Sequence, residues 1–131
     1  KYNTYEKGIK FDENIMMFFE EDDFFHQCFK KNKKIFLIDN LAADHFDGSI
    51  NDKTLKYECF KKWHWEWSKY YFLNKHYNKI LIFFIASKSI IKFLFKILIF
   101  YCFNKNSYHL YKSRLSGLLS FYFKKKCNID Y

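Results

Sequence analysis

Not one proline interrupts this chain, and glycine occurs only three times in its 131 residues. Proline and glycine are the residues that most often end helices and shape tight turns. Their scarcity favours long, uninterrupted helices over a loop-rich or glycine-rich fold. Apolar side chains recur at helical spacing in four segments, and we predict helices over Glu21–Lys31, 55–77, Ile80–Phe103 and Ser107–Phe123.

The formal net charge of +9 is unevenly distributed along the chain. Residues 1–52 carry seven Lys and eleven acidic residues, a balance of −4, whereas residues 53–131 carry sixteen Lys or Arg and three acids, a balance of +13. Such a shift in charge and composition indicates two parts with different roles. We therefore predict an acidic part over 1–53 and a basic, aromatic, helical part over 54–131.

Four consecutive acids, Glu20 to Asp23, lie between two aromatic pairs at the start of the first predicted helix. Carboxylates are favoured there by the helix dipole, so an ordinary solvated acidic turn explains the cluster on its own. The apolar run Lys34–Asp39 predicts a short buried strand. The loop that follows contains His45, which by itself is an ordinary loop residue.

The order of these motifs resembles the C-terminal part of family 2 glycosyltransferases, in particular the rhamnosyltransferase-like and galactofuranosyltransferase-like members. The family pattern has an Arg in the helix after the acids, and here that position holds Gln27. The second acid of the pair, often Asp in the family, is Glu21. The matching segments, in chain order, are Phe11-Asp12-Glu13, Phe19-Glu20-Glu21-Asp22-Asp23-Phe24, the strand Lys34–Asp39 and His45-Phe46-Asp47-Gly48-Ser49.

The resemblance implies an α/β fold, in which 1–53 is the C-terminal end of a GT-A (Rossmann-like) catalytic domain and 54–131 is a mainly α-helical tail. The family's nucleotide-binding strands and its metal-binding Asp-any-Asp motif have no counterpart in this sequence. The chain also lacks an initiator Met. We therefore expect it to be the C-terminal part of a longer enzyme and to be inactive alone, with Mg or Mn held mainly by the part that precedes it.

The activity implied by the resemblance is the inverting transfer of a sugar from a nucleotide-diphosphate donor to a hydroxyl of a glycan or lipid-linked acceptor. The resemblance also implies a role in bacterial cell-surface polysaccharide or lipopolysaccharide synthesis. Glu21 matches the general base that such a displacement needs. Glu20 and Asp23 complete the catalytic acids, and Asp23 fixes the helix start. His45 matches a position that contacts the donor diphosphate and its metal.

The basic, aromatic part has two interpretations. Trp63 and Trp67 serve either as helix packing or as a wall of the acceptor site or a membrane-interface anchor, because aromatic rings stack on sugars and favour interfaces. Residues 79–103 are strongly apolar but contain three lysines, at positions 88, 92 and 96. Each mid-bilayer lysine costs roughly 2.5 to 3.5 kcal/mol, and each Ile, Leu or Phe returns about 0.3 to 0.6 kcal/mol, so a helix that crosses the bilayer stays open but is at best balanced. We expect instead an in-plane helix at the cytoplasmic face of the bacterial inner membrane.

Two other classes of function stay open. A basic, aromatic chain is also typical of a nucleic-acid-binding module, although the position of the acids and the apolar tail led us to expect no nucleic-acid partner. A small membrane-associated structural subunit without chemistry is the second alternative. Salt-sensitive RNA binding without vesicle binding would favour the first, and independent folding as a complete chain would favour the second.

Overall fold

The computed structural model describes residues 8–36, 54–125 and 127. These residues form four helices: α1 (Glu20–Lys30), α2 (Leu55–His76), α3 (Lys79–Phe103) and α4 (Lys105–Tyr122). The four predicted helices are confirmed, with bounds that differ by no more than two residues. Irregular chain leads into α1 and lies against α2.

Side-chain caps fix where three of these helices begin. Thr54, Asn78 and Asn104 precede α2, α3 and α4, and each accepts a hydrogen bond from a backbone N–H in the first turn, at 3.3, 2.8 and 3.0 Å. Such caps satisfy backbone donors that the helix leaves without partners. Asn104 also ends α3, so one residue separates α3 from α4 and the chain reverses sharply there.

Helix α4 packs against both α2 and α3. The buried core between them consists of Tyr70, Ile82, Ala86, Phe93 and Leu118. Gly117 permits the close approach of α4 to α2, because a Cβ at this position would overlap the backbone carbonyl of Trp63.

The predicted α/β fold was wrong, since the described residues contain helices and no strand. The part of the predicted strand that is described, Lys34–Phe36, is irregular, and Ile35 and Phe36 are 57% and 77% exposed. A strand needs a neighbour that satisfies its backbone groups, and this segment pairs with none in the described ranges. The rest of the predicted strand and the His45 loop lie outside those ranges.

Candidate functional site at the start of α1

The acidic helix begins after a strained turn. Phe18 and Phe19 have φ angles of 64° and 66°, a left-handed conformation that is unfavourable for bulky side chains and is often found at functional sites. Helix α2 holds this turn in place. The Trp65 ring packs edge-on against both phenylalanine rings, at centroid distances of 5.1 and 5.2 Å, and the Ser68 hydroxyl donates to the Met17 carbonyl at 2.7 Å.

The four acids that follow have different surroundings. Glu21 and Asp22 are exposed, whereas Asp23 is completely buried. Glu20 is half-buried, and its Oε2 atom is buried without a hydrogen-bond partner among the described residues. The cluster is therefore not one solvated acidic turn, because its last member faces the protein interior and its middle members face solvent.

Asp23 is held by three donors. Its carboxylate accepts hydrogen bonds from Gln27 Nε2 at 2.8 Å, Lys75 Nζ at 2.9 Å and His76 Nε2 at 2.6 Å. Burial alone would raise the pKa of Asp23, but the hydrogen bonds from Lys75, His76 and Gln27 lower it below its ordinary value. Asp23 is therefore a charged anchor that joins α1 to the end of α2.

Lys75 also joins Asp23 to the preceding loop. Its Nζ atom lies 2.6 Å from Asp12 Oδ2, and the Tyr71 hydroxyl donates to the same oxygen at 3.1 Å. Burial would raise the pKa of Asp12, but hydrogen bonds from Lys75 and Asn14 lower it to about 2. Both carboxylates are therefore ionised at neutral pH, and Lys75 is the cation between them.

Gln27 occupies the place where the family pattern has an Arg. Its side-chain amide donates to Asp23 and to the Lys10 carbonyl, at 2.8 and 2.9 Å. The cation that pairs with Asp23 is Lys75, from α2.

Two histidines flank this network. The rings of His26 and His76 lie 4.1 Å apart. His76 donates from Nε2 to Asp23, which leaves Nδ1 to accept from Lys30 Nζ at 3.4 Å. Burial lowers the pKa of His26, and His76 and Lys30 lower it further. The Nε2 atom of His26 is buried and has no hydrogen-bond partner among the described residues.

An open cleft of about 520 Å³ lies beside the Asp12 loop. Tyr71 connects the two, because its ring lines the cleft and its hydroxyl binds Asp12. The wall combines aromatic surface with amide, ammonium and carboxylate groups, a mixture suited to a polar ligand with an apolar face. Glu21 does not line it. The lining residues are Glu13, Asn14, Met16, Trp67, Tyr71, Asn74, Phe121, Lys124, Lys125 and Cys127.

Trp63 and Trp67, the two tryptophans named as candidates from the sequence, are residues of α2 whose rings stack on neighbouring aromatic side chains of the same helix. Trp67 is 5% exposed, its ring stacks on Tyr71 at 5.2 Å, and its indole N–H donates to the Lys125 carbonyl at 3.0 Å. Trp63 is half-buried, and its ring stacks on Trp67 with centroids 6.5 Å apart. Of the two, only Trp67 lines the cleft.

The predicted metal ligand, His45, lies outside the described residues. Within those residues, no group of three or more His, Cys, Asp or Glu side chains is arranged to hold a metal ion. The buried carboxylate of the acidic cluster, Asp23, already accepts hydrogen bonds from three side chains. The described part of the chain therefore does not fit Mg or Mn by itself.

Sequence reasoning missed Lys75 and His76 as parts of this site, and it gave Asp12 no role of its own although it named the Phe-Asp-Glu segment. One signal was present in the sequence. Tyr71 and Lys75 are four residues apart, as are Phe72 and His76, so each pair lies on one side of a predicted helix. Those two neighbouring rows face the Asp12 loop and α1, respectively.

Comparison with known proteins finds no match for this chain among protein-family models, curated proteins or solved structures.

Proposed function

We propose that the chain is part of a glycosyltransferase that moves a sugar, with inversion, from a nucleotide-diphosphate donor to an acceptor hydroxyl. The single observation that carries the proposal is the Lys75 bridge. It joins Asp12 of the Phe-Asp-Glu segment to Asp23 of the acidic segment, which are two of the motifs in the family resemblance. The contact between these two segments supports the proposal.

Within this proposal, Glu21 is the general base. It lies in the first turn of α1 and is exposed, while Asp23 two residues later anchors that turn to α2. Glu21 takes the proton from the acceptor hydroxyl as the oxygen attacks the anomeric carbon. The bond from that carbon to the diphosphate breaks, and the nucleoside diphosphate leaves with the bonding electron pair.

The other residues have positioning roles in this proposal. The direction of α1 is fixed by the contacts among Asp23, Lys75 and His76. The strained Phe18–Phe19 turn determines where α1 begins and therefore where Glu21 lies. His45 near the donor diphosphate, and Mg or Mn as the ion that neutralises it, stay predictions from the family resemblance. Among the described residues, no group of three or more His, Cys, Asp or Glu side chains forms a site for that ion.

A donor screen tests the proposal. The full-length gene product would be incubated with UDP-, dTDP- and GDP-sugars, with Mg²⁺ or Mn²⁺ and a membrane extract as acceptor source. We expect one donor class to raise the melting temperature and to be converted to its nucleoside diphosphate. A protein that neither binds nor consumes any of these donors would overturn the proposal.

A further inference from the structure

Helix α3 presents a wide apolar surface that nothing in the described structure covers. Its buried residues Ile82, Ala86 and Phe93 face the core and α4. The opposite side is exposed over about 120° of the helix circumference at 100° per residue. Eight large side chains form this surface, the α3 apolar face: Ile80, Phe83, Phe84, Ile91, Leu94, Phe95, Leu98 and Tyr101, each at least 47% exposed.

Contiguous apolar surface of this kind usually marks an interaction site. None of the described helices is both long enough and apolar enough to cross a bilayer. Helix α3 therefore has one side that packs in the protein core and an opposite side that is both exposed and apolar. That arrangement resembles helices that lie in a membrane surface with one side immersed.

Positive charge borders the α3 apolar face along one edge. Lys88 and Lys92 are exposed, and Lys96 continues the row with its ammonium 5.5 Å from the Phe100 ring centroid. Helix α3 contains no acidic residue. A second copy of the chain would present the same lysine row and no α3 carboxylate to pair with it, whereas anionic lipid head groups complement the row.

We propose that the α3 apolar face binds the surface of an anionic phospholipid bilayer, with Lys88 and Lys92 at the level of the lipid phosphates. Long lysine side chains suit this position, because the stem contacts apolar material while the ammonium stays hydrated. The net charge of +13 over residues 53–131 adds attraction to an anionic surface. The proposal stands independently of the glycosyltransferase proposal.

Vesicle partitioning of the full chain tests it. We expect binding to vesicles of phosphatidylcholine and phosphatidylglycerol and at least tenfold weaker binding to pure phosphatidylcholine. Phe84→Glu combined with Phe95→Glu should weaken binding to the anionic vesicles at least tenfold. The matched control is Phe29→Glu with Phe36→Glu, since both of these phenylalanines are 77% exposed on other segments, and it should change binding less than threefold.

Two further measurements separate the face from its lysines and from misfolding. Lys88→Gln with Lys92→Gln should reduce the preference for anionic vesicles. The control Lys10→Gln with Lys34→Gln removes the same charge elsewhere and should leave most of that preference intact. A Phe95→Trp variant reports depth without adding charge. Because the chain already contains three tryptophans, the measurement is the additional quenching relative to the unmodified protein, which should be strong with lipids brominated near the head-group end of the acyl chain.

Four results would overturn the proposal. The first is no partitioning into either vesicle. The second is equal loss in the α3 variant and its Phe29/Phe36 control. The third is a dimer in analytical ultracentrifugation that the α3 variant dissociates while vesicle binding is absent, which would assign the face to a second copy. Salt-sensitive RNA binding without vesicle binding would likewise overturn it in favour of nucleic acid.

Discussion

Lys75 places its ammonium between two carboxylates, 2.6 Å from Asp12 Oδ2 and 2.9 Å from Asp23 Oδ2. Asp23 is fully buried and Asp12 largely so, while about a third of the Lys75 side chain is exposed. Burial would lower the pKa of Lys75, but the two carboxylates raise it, so the cation is charged at neutral pH. This one residue fixes the Asp12 loop and the acidic helix to the end of α2.

Removal of that cation should destabilise the protein. Lys75→Met keeps the length of the side chain but leaves the charge of Asp23 with one donor fewer in a buried site. We expect a loss of about 1 to 3 kcal/mol in the free energy of unfolding, measured by urea denaturation. Lys79→Met, at an exposed position in the next helix, is the matched control and should change little. Equal stability of the two variants would contradict the bridge.

Acid should weaken the same network. The pKa values of Asp12 and Asp23 are lowered in the folded protein, that of Asp12 to about 2 from an ordinary 3.8. A carboxyl with a lowered folded-state pKa adds stability above its unfolded pKa, and that stability is lost as the pH falls towards the folded pKa. The network's contribution should therefore decline from about pH 4 towards pH 2.

The pH dependence can be assigned by mutation. Asp12→Asn removes one titrating group, so the fall in melting temperature between pH 5 and pH 3 should be smaller than in the unmodified protein. Glu13→Gln changes the exposed neighbouring acid and should leave the fall nearly as it was. A fall that is unaltered by Asp12→Asn would show that other carboxyls control the acid sensitivity.

The contact between α2 and α4 gives a prediction that is independent of charge. Gly117→Ala would ordinarily favour a helix by up to about 1 kcal/mol. Here the added methyl overlaps the Trp63 carbonyl, which is backbone and cannot rotate away. We expect net destabilisation of about 1 to 3 kcal/mol from overpacking. Ser116→Ala, at the exposed neighbouring position, should not destabilise, and a Gly117→Ala variant of unchanged melting temperature would refute the close approach.

Some of this structure was readable from the sequence. The helices were predicted closely because apolar spacing is a local property, although the prediction did not use the capping residues Thr54, Asn78 and Asn104. The strand over Lys34–Asp39 was expected because a short apolar run suits a buried strand as well as an exposed segment. The choice between a buried strand and an exposed segment depends on whether a partner strand lies beside it, and the local sequence does not show that.

The partners of Asp23 show the same limit within the candidate site. Lys75 and His76 are 52 and 53 residues away, and no pattern near Asp23 in the sequence indicates them. Gln27, four residues away in the same helix, was within reach of local reasoning, but was read only as a missing Arg. The choice of which acid is buried depends on how α1 packs on α2, so Glu20, Glu21 and Asp23 could be grouped by sequence but not distinguished by surroundings.

The assignment of Glu21 as the general base, which belongs to the glycosyltransferase proposal, can be tested directly by mutation. Glu21→Gln keeps the shape of the side chain but removes its basicity, so turnover should fall by roughly 10²- to 10⁴-fold, the usual contribution of a general base. Donor affinity should stay nearly the same. Asp22→Asn, the exposed acid beside it, is the matched control and should retain most activity. Near-normal turnover of Glu21→Gln would show that Glu21 is not the general base.

The lysines of α3 should decide whether this helix lies on a membrane or crosses it. Each lysine costs roughly 2.5 to 3.5 kcal/mol near the bilayer centre, while each Ile, Leu or Phe returns only about 0.3 to 0.6 kcal/mol. Replacing Lys88, Lys92 and Lys96 with leucine removes the free-energy cost of the three charges and adds three apolar side chains that favour insertion. The variant should therefore insert into the bilayer and resist extraction by alkaline carbonate. The same positions changed to glutamine stay polar and should remain extractable.

Reporters complete this test. In the unmodified protein, a reporter before Lys53 and one after Tyr131 should lie on the same side of the membrane, and alkaline carbonate should release most of the chain. In the leucine variant the two reporters should lie on opposite sides, because the apolar helix now spans. Opposite sides in the unmodified protein would mean that the lysines reach the interface from within the bilayer, and that α3 crosses the membrane with its charges intact.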